Sequence, residues 1–301
     1  STFEARGYSA WDPTSPAFVV TSRKGGTLCI PSVFISYDGT PLDLKTPLMK
    51  SLDAVESRAL RLLKLFGNRG LRWAKVTVGA EQEYFLVDGE RARKRPDLQF
   101  CGRTIIGCQP PKGQQMEDHY FGAIPPRVLA YMEDVERDLY RLGVVITTRH
   151  NEAAPCQFEF APQFSEANLA CDQNQLVMET MRKMARRHDL MLLLHEKPFA
   201  GLNGSGKHIN FSIQDSDGKN VLKPSTNHRK NIQFLTFLSA LLLGLSRYSP
   251  LLRASIASPG NMYRLGGHEA PPPIMSVYLG NTLATIMERI EQGLPESFPG
   301  K

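Results

Sequence analysis

No two cysteines in this sequence are spaced as CxxC, and the five present, Cys29, Cys101, Cys108, Cys156 and Cys171, are odd in number. That argues against a disulfide framework and against a cysteine-based zinc site, so a reducing compartment is the simpler expectation. The chain also has no long apolar run. The uncharged and mostly apolar stretch Asn231 to Ser246 is 16 residues, short of the roughly 20 that span a bilayer, and is expected to form a buried helix. A charged-then-apolar leader is absent, as are a starting Met, any repeat and any low-complexity segment. Strong charge of one sign is missing too. Lys plus Arg number 36 against 30 for Asp plus Glu, a mild surplus that favours anionic substrates without requiring nucleic acid or a membrane surface.

What remains is a folded chain of ordinary composition, with 42% hydrophobic and 22% charged residues over 301 positions. This suffices for one large or two ordinary domains that need no staple. The first 45 residues are rich in Gly, Pro, Ser and Thr and read as loops and short strands. From Thr46 the apolar positions Leu52, Val55, Ala59, Leu62, Leu63 and Phe66 recur at helical spacing. Lys75 to Asp88 then alternates with period two, as a strand does. A polar loop is expected around Arg91 to Arg95, and a helix opening at Pro126. A strand is expected over Val144 to His150, and a long helix from Ser165 and Glu166 to about His188. Further strands near Met191 to His195 and Lys207 to Ile213, and helices over 230–248 and 281–292, make the class α+β with one main core.

Four stretches carry candidate chemistry. In Glu81-Gln82-Glu83, alternate residues of a strand put two carboxylates on one face, where a hard divalent cation relieves their repulsion. Glu152 and Glu159, in His150-Asn151-Glu152 and Gln157-Phe158-Glu159, lie in an apolar segment where a carboxylate must be paired or metal-bound. In KPFAGLNGSGKHINFS (197–212), Gly201, Gly204 and Gly206 allow close approach of backbone N–H groups to an anion. His208, Asn210 and Ser212 then alternate onto one strand face, with Asn203 and Lys207 beside them. This is neither a P-loop nor a GxGxxG turn. Finally, NMYRLGGHEAPPP (261–273) sets Arg264, a bidentate fork for a carboxylate or phosphate, five residues before Glu269, a potential proton acceptor on a loop.

KPFAGLNGSGKHINFS resembles the ATP-region signature of glutamine synthetases, and the other three stretches resemble that family's remaining motifs in the same order. TFEARGYSAWDPTSP, KGQQMEDHYFG, HEKPFAG and LLRASIASPGN are similar to the large type III branch. The resemblance implies the glutamine synthetase catalytic fold, a curved antiparallel sheet with flanking helices, over 46–301, and a remnant of the N-terminal β-grasp connection over 1–45. It implies that Glu83, Glu152 and Glu159 hold one Mg²⁺ or Mn²⁺ and that Glu81 with His208 holds a second. It further implies that Asn203 and Gly204 bind glutamate and Arg264 its carboxylate, that Lys207, His208, Asn210 and Ser212 lie at ATP, and that Glu269 takes a proton from ammonium. The family often carries His where Asn210 stands. A later Arg-rich segment ending in a further metal-binding glutamate is missing, so the chain is expected to be cut at both ends and weakly active or inactive. The implied reaction joins ammonia to the γ-carboxylate of glutamate at the expense of ATP, in a cytoplasmic homo-oligomer, two six-membered rings for the full-length protein. A γ-glutamyl-amine ligase, another carboxylate ligase or guanidino kinase of related architecture, or a non-catalytic assembly partner stays open beside it.

Overall fold

The computed structural model describes residues 7–22, 24–109, 111–224 and 228–293. Two compact units result, residues 1–220 and 221–301.

The first unit begins with β1 (Gly7–Trp11), β2 (Phe18–Ser22), β3 (Gly25–Cys29) and β4 (Ser32–Ser36), which form two separate antiparallel pairs, β1 with β4 and β2 with β3. They are anchored by charge. Lys45, at the start of α1 (Lys45–Leu65), lies 3.1 Å from Asp12 and also pairs with Asp172. Asn168 Nδ2 donates to Asp12 at 2.8 Å, while Ser15 Oγ donates to Asp172 at 2.5 Å. The segment after α1 forms β5 (Ala74–Asp88), followed by α2 (Gly89–Arg93) and α3 (Pro96–Cys101). The loop expected around Arg91 to Arg95 is therefore largely helical. Asp88 caps α2 by accepting from Arg91 N–H, and Pro96 opens α3 at a position where its missing donor costs nothing.

Next come α4 (Pro126–Arg141), β6 (Ile146–Asn151), β7 (Gln157–Pro162), β8 (Ser165–Glu166), α5 (Ala167–Arg187), β9 (Leu190–Leu193) and β10 (Lys207–Asp215). Ser165 and Glu166, expected to start the long helix, are extended because they pair with Val78 and Thr77 of β5. Glu166 then caps α5 by accepting from Leu169 N–H. The six strands make one antiparallel sheet in the order β10-β5-β7-β6, with β8 and β9 also on β5. Its fifteen-residue central strand can serve four partners because it reaches past each of them. Tyr84, Phe158 and Phe160 bury on one sheet face against Tyr131, Met132, Val135 and Leu139 of α4 and Val177 and Met181 of α5. The period-two alternation of β5 and β7 therefore directs their acids to the other face.

The second unit contains α6 (His228–Arg247), α7 (Ser249–Ile256) and α8 (Gly280–Glu291). Asn231 to Ser246 is helical as expected but is not buried. Ile232 and Leu243 are exposed, and among its described side chains only Asn231 and Phe237 are buried. The run is apolar around the whole helix, more surface than so small a unit covers. No single described helix is long and apolar enough to cross a membrane.

Candidate metal and nucleotide site

Register assembles the site. Glu83 on β5 is the cross-strand partner of Glu159 on β7, and Glu159 in turn is the partner of His150 on β6. Two residues back along β5, Glu81 is the partner of His208 on β10. Directly opposed residues share a face, as do residues two apart, so these five side chains form one patch on the side away from the core. Glu152, on the hairpin after β6, joins it: its carboxylate lies 3.4 Å from His150 Nδ1, and its backbone N–H donates to Gln157 O.

Three of the carboxylates are nearly out of water, Glu83 at 2%, Glu152 at 5% and Glu159 at 6% exposed. Such groups require compensation. His150 Nε2 lies 3.0 Å from Glu159 Oε1, and that contact holds the imidazole's pKa up to about 9 against the opposing effect of burial. Glu83 Oε2 accepts the backbone N–H of Gly206 at 2.7 Å, while its other oxygen is 3.6 Å from His208 Nδ1. His208 Nδ1 is also 3.2 Å from Glu81, whose second oxygen accepts from Asn210 Nδ2 at 2.8 Å.

Two triads bring a ligand atom from every member within 4.8 Å of the others: Glu81, Glu159 and His208, and His150, Glu152 and Glu159. Oxygen donors with an occasional imidazole are the donor set of Mg²⁺ and Mn²⁺, and sulfur is absent from both triads. The residues therefore fit the divalent ions expected from the sequence. Glu159 belongs to both triads. Glu83, expected beside Glu152 and Glu159, lies directly across from Glu159 and uses one oxygen on the loop at Gly206.

His150 had no role in the sequence reading. Its place two residues before Glu152 gains meaning only through the pairing of β6 with β7, which sets it opposite Glu159. The segment around His119, noted only for its likeness to the type III branch, was likewise given no chemical role. His119 Nδ1 lies 2.7 Å from Glu152 O, Tyr120 packs its ring against His150 with centroids 5.7 Å apart, and the Asn151 amide donates to the carbonyls of His119 and Gly122.

Asn210 and Ser212 lie along β10 beyond the acids and line a cavity of about 300 Å³ with Thr77, Phe164 and Phe211. Phe164 was also missed, since one aromatic in the β7–β8 turn carries no pattern. Lys207 Nζ donates to Asn174 Oδ1 at 2.5 Å on the α5 side, and burial lowers its pKa. Asn203 and Gly204 are buried in the loop before β10. Arg264 and Glu269 belong to the second unit. There Arg264 is 5% exposed and its Nη2 donates to the backbone carbonyl of Glu269 at 3.1 Å, while Glu269 holds a left-handed φ of 48°.

Residues 57–278 match the glutamine synthetase catalytic domain, and residues 1–51 match the N-terminal region of type III glutamine synthetases. The chain belongs to the glutamine synthetase family. It is 50% identical over 297 residues to a glutamine synthetase of Bacteroides fragilis, covering 99% of this chain and 40% of that protein. It is 46% identical over 300 residues to the type-3 glutamine synthetase of Dictyostelium discoideum, covering 100% of this chain and 41% of the relative. The chain thus spans about two fifths of the length of these glutamine synthetases. In structure it is similar to Plasmodium falciparum glutamine synthetase, with a TM-score of 0.63 over 88% of this chain and 52% of that one, at 19% identity, a likeness of fold. The type III assignment and the α+β glutamine synthetase catalytic fold expected from the motifs are thereby shown.

Proposed function

We propose that this chain carries the metal and nucleotide centre of a type III glutamine synthetase that ligates ammonia to the γ-carboxylate of glutamate with cleavage of ATP. The observation that supports it most is the convergence of Glu81, Glu83, Glu152 and Glu159 with His150 and His208 on one sheet face. Glu83, Glu152 and Glu159 would hold one Mg²⁺ or Mn²⁺ and Glu81 with His208 the other, with Glu159 able to serve both. Such ions, when bound, neutralise phosphate charge. The cavity beside Asn210, Ser212 and Phe164 receives the nucleotide base and sugar, and His208 lies toward its phosphates; Lys207, expected with it at ATP, instead occupies the opposite face of β10 and bonds to Asn174 of α5. By the family resemblance Asn203 and Gly204 are assigned to glutamate, and the guanidinium fork of Arg264, within the second unit, is assigned to a substrate carboxylate.

A γ-carboxylate oxygen of glutamate attacks the γ-phosphorus, the bond to the β-phosphate oxygen breaks, and ADP leaves. The nitrogen of ammonia then forms a bond to the acyl carbon, phosphate departs, and Glu269 holds the proton that ammonium gives up. Exclusion of water protects the acyl phosphate, and a loop carrying Glu269 suits that task. The five free cysteines fit a cytoplasmic setting, and the parent protein is proposed to be a homo-oligomer of two six-membered rings.

Calorimetric titration tests the reading: ATP binds this chain only when Mn²⁺ is present. Heat of binding that is identical without metal, or no binding at all, overturns it and leaves the assembly-partner reading. Glutamine formation from ammonia, compared with product formation from methylamine, separates a glutamine synthetase from a γ-glutamyl-amine ligase.

A further inference from the structure

The loop Asn203–Gly206 is irregular backbone, yet Asn203, Gly204 and Ser205 are buried. Buried backbone of this kind must find a partner for every N–H and C=O, and without a neighbouring strand those partners have to be side chains or stray carbonyls. Two glutamines supply them. Gln114 Oε1 accepts the Asn203 N–H at 2.7 Å. Gln157 Nε2 donates to Gly204 O at 2.9 Å and lies 3.3 Å from Ser205 Oγ. Elsewhere in the loop the Glu83 carboxylate accepts Gly206 N–H, Glu196 O accepts Ser205 N–H, Asn203 Oδ1 accepts Gly204 N–H, and Gly206 O accepts Glu83 N–H from β5.

Gln157 is 0% exposed and stands two residues before Glu159 on β7. A primary amide in such a place is costly unless both ends are paired. Here its Oε1 accepts Ala154 N–H at 3.2 Å while its nitrogen serves the loop. The loop is thus measured off from the strand that carries the shared carboxylate. Gln114 performs the opposite office, accepting from the loop through its Oε1.

We propose that Gln157 and Gln114 are positioning residues that fix the backbone of Asn203 and Gly204 for the glutamate substrate. The inference rests on the reading above for the identity of that substrate; the fixing of the loop does not. It makes an asymmetric claim. Gln114→Glu keeps an acceptor at Asn203 N–H and preserves the loop, whereas Gln157→Glu replaces a donor by a carboxylate oxygen facing the Gly204 carbonyl and releases it.

Hydrogen exchange followed by mass spectrometry on the 301-residue chain reads this directly. The peptide covering 198–208 should exchange about tenfold faster in Gln157→Glu and in Gln114→Ala, a loss of about 1.4 kcal/mol of local protection. It should stay at the wild-type rate in Gln114→Glu, and peptides from α4 and α5 should not change. Equal rates in wild type and Gln114→Ala, or a loosened loop in Gln114→Glu, overturn the proposal, and the Gln114 pair decides it even if Gln157→Glu fails to fold. Titration of glutamate in the presence of ATP and Mn²⁺ supplies the second readout. Wild-type affinity for glutamate in loop-loosened variants also overturns the positioning role. A wild-type chain that binds no glutamate sinks the substrate assignment instead, and the exchange data still judge the loop.

Discussion

Glu83 and Glu159 stand directly opposite one another on β5 and β7, two nearly buried carboxylates as cross-strand partners. Like charges so placed repel, and a sheet that tolerates them must neutralise them. The molecule uses an imidazole on one, His150 at 3.0 Å, and a backbone N–H on the other, Gly206 at 2.7 Å. Each carboxylate has a second oxygen, and it is the shared face of these oxygens that suits a cation.

Because Glu159 reaches both triads, its replacement should damage both ion sites at once. Glu159→Gln is expected to weaken Mn²⁺ binding at least tenfold and to lower the number of ions bound, as read by calorimetry. Mn²⁺ at about a hundred times its dissociation constant should stabilise the wild-type chain by roughly 2.7 kcal/mol against urea, and the variant by far less. Undiminished binding by Glu159→Gln would remove Glu159 from the ligand set.

Phe164 lines the cavity that also contains Asn210 and Ser212, and its ring is exposed there. An aromatic face beside a nucleobase contributes about 1–3 kcal/mol by stacking. Phe164→Ala should therefore reduce the affinity for a fluorescent ATP analogue by roughly 5- to 150-fold, leaving Mn²⁺ binding alone as it was. An unchanged nucleotide affinity would move the base elsewhere.

Much of the sheet was legible because its signals are local. Glu81 and Glu83 two apart in a β-branched strand, and Pro126 opening an apolar helical face, declare themselves from spacing alone. What the spacing does not contain is register. Nothing in the order of residues says that Glu159 faces Glu83 rather than Tyr84, yet that one step of slip along β7 would send the acid into the core. His150 became informative only once β6 and β7 were paired. The small helices over 89–101 were hidden by their charge, which reads as loop until Asp88 and Pro96 are recognised as a cap and an opener. Phe164 and Gln114 sit in turns, where no periodicity marks a functional side chain.

The core face of β7 sets the acids' position. Phe160 is fully buried and stacks on Tyr84 with centroids 5.4 Å apart. Phe160→Ala should cost about 3–5 kcal/mol in urea unfolding, from lost burial and the cavity left behind. A cost below 1 kcal/mol would mean that the sheet repacks freely around the site.

Asp12 offers the clearest pH dependence in the first unit. Burial works to raise its pKa, but the bonds from Thr14 and Asn168 and the pairing with Lys45 outweigh that and hold it down from 3.8 to about 2. A depressed carboxylate stabilises the fold above its unfolded pKa, and that contribution disappears as pH falls through the folded value. The window is thus about pH 4 down to pH 2, and the amount, converted from the shift, is about 2 kcal/mol. Asp12→Asn should lose a similar amount at pH 7 and show a flatter decline in urea midpoint across that window than the wild-type chain. If the two proteins decline in parallel between pH 4 and pH 2, the anchoring of the N-terminal strands by Lys45, Asp12 and Asn168 contributes nothing to stability, and the contacts holding β1 and β4 must be sought in their apolar faces.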